Sequence, residues 1–276
     1  MPSTAIEPQD YEDFRLFLER SCGLVLGDNK HYLVTSRLSR LMDEFSVSSV
    51  SELLRLLKSG KRAGLRERVI EAMTTNETYW FRDVFPFEIL RNQILPDLGK
   101  RGVNPVKIWS AACSSGQEAY SISMTVSELQ QTRPGVVRDV QIVGTDISTA
   151  IVREAREATY DDLAVARGLS PERRDRFLVR KEKRWQVRPE IRARASFREF
   201  NLLDSFTLLG RFDIIFCRNV LIYFSAESKR DILSRMAGTL NPGGYLFLGA
   251  SESMANYSDA FEMLRCNPGV VYRKRS

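Results

Sequence analysis

Histidine is almost missing from this chain: His31 is the single example in 276 residues. Most metal sites, and catalytic triads built on histidine, are thereby set aside. Cysteine is sparse too. Cys22, Cys113, Cys217 and Cys266 are scattered without a C-x-x-C pair, and three of them lie in apolar segments. That pattern fits reduced thiols and argues against a disulfide frame or a zinc site. No apolar run approaches the ~20 residues that cross a bilayer, so direct membrane insertion is not expected. Residues 1–10 are polar and acidic, unlike a secretory signal peptide, and a cytoplasmic protein is expected.

What is present is ordinary in bulk. Hydrophobic residues make up 43% and charged residues 28%, as in a soluble globular protein, and the length allows one large domain plus a small one. The net charge of +6 favours acidic partners. Basic residues gather in 30–68, 173–198 and the tail Arg273-Lys274-Arg275. Aromatics are not interleaved with these runs as base-stacking platforms would be, so nucleic acid is not expected as a partner.

Residues 1–75 read as helical throughout. Apolar stripes recur at Tyr11, Phe14, Phe17 and Leu18, at Val34, Leu38, Leu41, Met42 and Phe45, at Leu53, Leu54, Leu56 and Leu57, and at Leu65, Val69, Ile70 and Met73. Gly27-Asp28-Asn29 and Gly60 punctuate them. From Val106 onward strands alternate with helices, the pattern of a doubly wound, mostly parallel α/β sheet. The pattern predicts strands over 106–109, 140–145, 195–198, 212–217, 244–249 and 270–273, the last one antiparallel at the sheet edge. Helices are predicted over 118–131, 149–158, 226–239 and 256–261. The charge-rich stretch 161–196 fits neither pattern. Residues 176–180 and 184–188 alternate at period two around Lys181-Glu182-Lys183, which predicts a small inserted hairpin subdomain.

The turn after the first strand carries the chemistry. Ser110-Ala111-Ala112-Cys113-Ser114-Ser115-Gly116 is a run of seven small residues opening a helix at Glu118, and small side chains let a ligand approach the backbone. It contains one glycine, not the three of a pyrophosphate-binding G-x-G-x-x-G turn. The acidic residue Asp146 follows Gly116 by 30 residues instead of the usual ~20, so a dehydrogenase is a poor reading. A nucleoside without phosphates fits better, with Asp146 at a strand end facing the ribose hydroxyls. S-adenosyl-L-methionine is the commonest such ligand. Asp146 can equally be read as a helix cap, and Glu118 as a first-turn carboxylate favoured by the helix dipole.

The chain resembles the CheR-type chemotaxis receptor methyltransferases over nearly its whole length. The resemblance is carried by Thr74-Thr75-Asn76-Glu77-Thr78-Tyr79-Trp80-Phe81-Arg82-Asp83, Trp109-Ser110-Ala111-Ala112-Cys113-Ser114-Ser115-Gly116-Gln117-Glu118-Ala119-Tyr120-Ser121, Gly144-Thr145-Asp146-Ile147-Ser148, Phe200-Asn201-Leu202-Leu203 and Phe216-Cys217-Arg218-Asn219-Val220-Leu221-Ile222-Tyr223-Phe224. It implies a class I methyltransferase domain over 76–276, a helical N-terminal domain over 1–75 that contacts the receptor, and a β subdomain at about 161–196. It also implies transfer of a methyl group from S-adenosyl-L-methionine to receptor glutamates, leaving S-adenosyl-L-homocysteine and a glutamyl methyl ester. Asn76, Thr78, Arg82, Glu118, Asp146, Asn201, Leu202, Arg218 and Asn219 would then contact the cofactor, with Asn201 and Leu202 on the adenine. Arg82 and Tyr223 would stand near the transferring methyl. From the residues alone, Arg82 could instead bridge the two domains, and Tyr223 could be core packing.

No general base is evident, and this chemistry needs none. A glutamate carboxylate, with an unperturbed pKa of about 4.3, is already a nucleophile at neutral pH. An RNA or other methyltransferase, supported by the basic charge, and a scaffold that keeps the fold without turnover are the competing readings. The partner implied is the helical cytoplasmic region of a chemoreceptor, met by a basic face holding Lys30, Arg37 and Arg40. Some relatives also grip a receptor C-terminal pentapeptide through a glycine-bearing hairpin. Lys181-Glu182-Lys183 is short, charged and free of glycine, so this contact is not expected.

Overall fold

A computed structural model describes residues 6–275, which divide into two compact units: residues up to Thr75 together with Tyr223–Ser228, and Asn76–Ile222 together with Lys229 onward. The segment 223–228 thus groups with the helical unit, although sequence continuity assigns it to the larger domain.

The first unit contains α1 (Pro8–Cys22), α2 (His31–Glu44), α3 (Val50–Ser59) and α4 (Leu65–Met73). Their ends are written locally. Pro8 opens α1, and Gly23 closes it at φ 77°. Ser49 caps α3 by accepting from the Glu52 N–H. Tyr11, Phe14 and Leu18 are buried, as are Val34, Leu38, Leu41 and Met42, Leu53 and Leu54, and the four apolar residues of α4. Phe17, Phe45, Leu56 and Leu57 of the expected stripes are only half-buried. Arg37 corrects the expected basic face. Its guanidinium donates to the carbonyls of Met73 and Thr74 and to Thr75 Oγ1 (2.9 Å), capping the carbonyl end of α4. Lys30 and Arg40 remain exposed. Within this unit the Val25 N–H also donates to the Tyr223 carbonyl at 2.9 Å.

The second unit is built on a seven-stranded sheet. Its strands are β1 (Val106–Ala111), β2 (Val140–Asp146), β6 (Ala195–Glu199), β7 (Phe212–Cys217), β8 (Leu240–Leu248), β9 (Phe261–Cys266) and β10 (Gly269–Lys274), in the order β6-β2-β1-β7-β8-β10-β9. The first five in that order are parallel, and β10 pairs antiparallel with both β8 and β9. Two expectations fail here. β10 is internal and β9 is the edge, and residues 256–260 form turns and bends instead of a helix. In the expected helix 256–261 only Tyr257, Ala260 and Phe261 are apolar, and Phe261 is drawn into β9, where it pairs with Lys274 of β10.

Short helices α5 (Phe85–Ile89) and α6 (Leu95–Lys100) precede the sheet, and α7 (Gln117–Thr132) and α8 (Thr149–Glu157) follow β1 and β2. Between β2 and β6 lie α9 (Asp162–Ala166), α10 (Pro171–Phe177), α11 (Pro189–Arg192) and a three-stranded antiparallel sheet. Its strands are β3 (Thr159–Tyr160), β4 (Leu178–Lys181) and β5 (Arg184–Val187), ordered β3-β5-β4. The β4–β5 turn is Glu182-Lys183, with Glu182 at φ 52°, a conformation that favours glycine. Last comes α12 (Ala226–Thr239). The fold is Rossmann-like: a mostly parallel sheet whose order reverses between β1 and β7. Ligands of such sheets lie outside the carboxyl ends of the strands at that reversal.

Candidate active site

Strand order gathers the expected cofactor residues along one edge. β6, β2, β1 and β7 are consecutive neighbours, and their carboxyl ends lead into Asn201, Asp146, the turn 112–118 and Arg218-Asn219 respectively. At about 4.8 Å per strand the four ends span roughly 15 Å, the scale of an extended nucleoside–amino acid.

Aromatic packing fixes the β6 end of this row. Trp109 on β1 is fully buried, donates from Nε1 to Thr145 Oγ1 (2.9 Å), and stacks or edges against Phe200, Phe206 and Phe212. Phe200 and Phe206 flank the loop holding Asn201 and the buried Leu202. Asn201 Oδ1 accepts from the Leu203 N–H at 3.0 Å, and the Phe200 N–H donates to the Asp146 carbonyl at 2.8 Å.

The small-residue turn is conformationally demanding. Ala112 (φ 56°), Ser114 (φ 49°) and Gly116 (φ 94°) are all left-handed. A side chain at Gly116 would stand 3.1 Å from Ala155 and 3.2 Å from Tyr120. Asp146 holds the turn: its carboxylate accepts from the Ser114 N–H (2.9 Å) and the Ser148 N–H (3.1 Å). Ser114 Oγ in turn donates to the Asn76 carbonyl at 2.9 Å. The cap of α8 is Ser148, which accepts from Ile151, so Asp146 is not itself the cap. Burial pushes the Asp146 carboxyl above the ordinary aspartate range, against the backbone hydrogen bonds that favour its ionised form.

A second cluster stands at the β1/β7 reversal. Arg218, with its side chain 1% exposed, donates from Nη1 to Glu118 Oε2 (2.8 Å) and from Nη2 to Asp83 Oδ2 (2.7 Å) and the Arg82 carbonyl (2.8 Å). Glu118 Oε1 accepts from Ser110 Oγ at 2.8 Å. The peptide Arg218 grips is strained, since Phe81 (φ 50°), Asp83 (φ 67°) and Val84 (φ 53°) all occupy the left-handed region. Ser121 Oγ accepts from the Phe81 N–H at 3.1 Å, tying the same turn to α7. Arg82 itself donates to the Glu77 carbonyl (2.9 Å) and lies 5.5 Å over the Tyr79 ring. Thr78 is half-buried on this segment.

The geometry therefore forms two hydrogen-bonded groups: Asn76 reaches Asp146 through Ser114, and Arg82 reaches Glu118 through Arg218. Tyr223 belongs to the other unit. Asp83 and Glu252 escaped the sequence reading. Asp83 pairs with Arg218, and the Glu252 carboxylate accepts from the Asn219 and Gly249 N–H groups at 2.7 Å each. Glu252 follows β8 by four residues, so an acidic residue in the turn after a strand was an available signal there, whereas Asp83 lies in the turn before α5 and offered none.

The donor set suits S-adenosyl-L-methionine. Asp83 and Glu118 pair with the single guanidinium of Arg218, and Asp146 is met by backbone N–H groups, so carboxylates outnumber the cation paired with them. A sulfonium and an ammonium are favoured there, and a pyrophosphate is repelled. The Ser114 N–H, which a phosphate would need, is already bonded to Asp146. Asp146 retains lone pairs for ribose hydroxyls, and Glu118 for an ammonium. Rossmann-like sheet and site together define an S-adenosylmethionine-dependent methyltransferase.

Comparisons with known proteins narrow the class. The profile of the CheR methyltransferase SAM-binding domain matches residues 76–270, and that of the CheR all-alpha domain matches residues 9–74. Chemotaxis protein methyltransferase 1 of Pseudomonas aeruginosa is 55% identical over 96% of this chain and 98% of its own length. The chemotaxis protein methyltransferase of Vibrio parahaemolyticus is 52% identical over 99% of both chains. That of Escherichia coli is 32% identical over 94% of this chain and 89% of its own. The chain belongs to the CheR methyltransferase family, and it is a methyltransferase of the chemotaxis type.

The raised Asp146 carboxyl predicts a pH dependence. Ribose hydroxyls need the ionised carboxylate as acceptor, so cofactor affinity falls as pH drops through the Asp146 pKa. Folding stability changes in the opposite sense, because burial favours the protonated form and that contribution is lost as pH rises through the same value. Calorimetric titration with S-adenosyl-L-homocysteine across pH should therefore show weakening that begins above the ordinary aspartate range. An affinity flat to pH 4 or so would remove Asp146 from the ribose contact.

Proposed function

We propose that this chain transfers methyl groups from S-adenosyl-L-methionine to glutamate side chains in the cytoplasmic helical region of chemoreceptors. The observation that carries this reading is the Glu118–Arg218–Asp83 cluster at the strand reversal, which holds Arg82 beside the cofactor edge. The cofactor supplies a methyl group already activated by the sulfonium. What remains for the protein is binding, orientation and exclusion of water, and alignment alone can supply roughly 7–11 kcal/mol of such a barrier. The single histidine, His31, stacks on Tyr11 in the helical unit with ring centroids 3.8 Å apart. An incoming glutamate is ionised without a base.

In this reading Asp146 takes the ribose hydroxyls, and Asn201 with Leu202 takes the adenine. Glu118 takes the ammonium, with Asn76, Thr78, Arg218 and Asn219 completing the site. Arg218 acts chiefly by fixing Glu118 and the Arg82 carbonyl. The Arg82 guanidinium orients the substrate carboxylate, and Tyr223, four residues after Asn219, positions the sulfonium end. The receptor's glutamate-rich helices meet exposed cations of the helical unit, Lys30 and Arg40 among them. The reaction takes place in the cytoplasm, where the four free cysteines stay reduced.

Mass spectrometry of a receptor cytoplasmic fragment, after incubation with the protein and S-adenosyl-L-methionine, tests this directly. Glutamyl methyl esters are expected. Methylation of RNA offered in parallel, with the receptor untouched, would reverse the assignment. Arg82→Ala should lower kcat at least about tenfold, about 1.4 kcal/mol of barrier, while S-adenosyl-L-homocysteine affinity changes less. Unchanged kcat at saturating substrate removes Arg82 from the reacting end.

The receptor is engaged without a C-terminal pentapeptide. On the inserted sheet Trp185 is covered by Arg174 (4.9 Å) and Arg180 (5.1 Å) and donates to Asp162 at 2.7 Å. Edge strand β4 ends in exposed Lys181 beside the Glu182-Lys183 turn, and lysine there discourages strand addition. Calorimetric titration with the free pentapeptide should give only heat of dilution. A low-micromolar Kd would contradict the reading.

A further inference from the structure

We propose that Glu252 is a positioning residue for the cofactor site, setting the loop after β7 that presents Asn219. Four backbone N–H groups converge on its carboxylate. Oε2 accepts from Asn219 (2.7 Å) and Gly249 (2.7 Å), and Oε1 accepts from Val220 (3.0 Å) and Ile222 (3.3 Å). Three of these donors lie in the loop after β7, and the fourth immediately follows β8. One side chain therefore staples the carboxyl ends of two neighbouring strands.

The charge of Glu252 is met by amides. Among the described residues no lysine or arginine forms an ion pair with it. Converging N–H groups of this kind form an anion-binding concavity, and here the anion belongs to the chain itself. Asn219 sits at φ 58°, a left-handed conformation that asparagine tolerates better than most residues, and the Glu252 carboxylate holds its N–H there. Gly249 makes the convergence feasible. A Cβ there would lie 2.7 Å from both Asn219 Nδ2 and Glu252 Oε2.

A carboxylate is required because both of its oxygens accept. Glutamine in the same place would turn an NH₂ toward two of the four N–H groups, donor against donor. The αL turn would open and carry the Asn219 side chain away from the strand edge. Glu252 thus acts through Asn219, and the inference rests on reading Asn219 as a cofactor ligand.

The test compares Glu252→Gln with Asn219→Ala by calorimetry against S-adenosyl-L-homocysteine and by steady-state kinetics. Both variants should raise Kd at least about tenfold, the scale of one lost charged hydrogen bond. In Glu252→Gln the KM for S-adenosyl-L-methionine should rise more than kcat falls, whereas simple loss of folded protein would lower kcat and leave KM in place. Wild-type affinity in Asn219→Ala would overturn the ligand reading. Weakened Asn219→Ala beside wild-type affinity in Glu252→Gln would overturn the positioning role alone. Should Glu252→Gln fail to fold, hydrogen exchange on the unaltered protein decides. The amides of Asn219, Val220 and Ile222 should be protected without ligand, and exchange at open-loop rates until ligand is added would overturn the proposal.

Discussion

A buried guanidinium organises the large unit. Arg218 carries a full charge at 1% side-chain exposure, a position that is costly unless the charge is paired and its donors are used. Glu118 and Asp83 supply the pairing, and the Arg82 carbonyl takes a further N–H. The three partners come from the start of α7 and from the strained peptide before α5, so one side chain locks two segments to the end of β7. Removing it would leave two largely buried carboxylates facing each other. The left-handed residues at 81, 83 and 84 persist because this network over-determines them.

Function follows from the same arrangement. The parallel strands β6, β2, β1 and β7 deliver an amide, a carboxylate, a small-residue turn and a guanidinium–amide pair in one row. Nothing in that row is built to move a proton at neutral pH, and nothing needs to be. The electrophile arrives activated and the nucleophile arrives ionised, so geometry and dehydration are the protein's contribution. The slight excess of carboxylates suits a cationic cofactor, yet the engaged Ser114 N–H gives a phosphate no foothold.

Much of this was legible in the sequence because strand ends and turns advertise themselves. Of the seven small residues before Gln117, Ser110 and Ala111 complete β1 and the other five form the tight turn, and the buried apolar runs marked β1, β2 and β7 closely. Edge elements were harder. β9 reads Phe-Glu-Met-Leu-Arg-Cys, with apolar residues on both faces and Met263 half exposed, so neither period stands out. Residues 256–261 looked helical, but Phe261 opens β9 and the residues before it turn and bend. Side-chain destinations were not legible at all. Arg37 looked like a surface cation until the carbonyls of Met73 and Thr74 were placed beside it, and the pairing of Arg218 with Glu118 and Asp83 was not visible in the sequence around it. These are tertiary facts, set by residues 36 or more positions away.

Asp146 ends β2 in the middle of the row and orders the turn beside it. Calorimetry with S-adenosyl-L-homocysteine should show a single site in the wild-type protein. In Asp146→Ala that site should be weaker by roughly 2–4 kcal/mol, the loss of two hydrogen bonds to a charged acceptor. Unchanged affinity in that variant would contradict the placement of the cofactor along this strand edge.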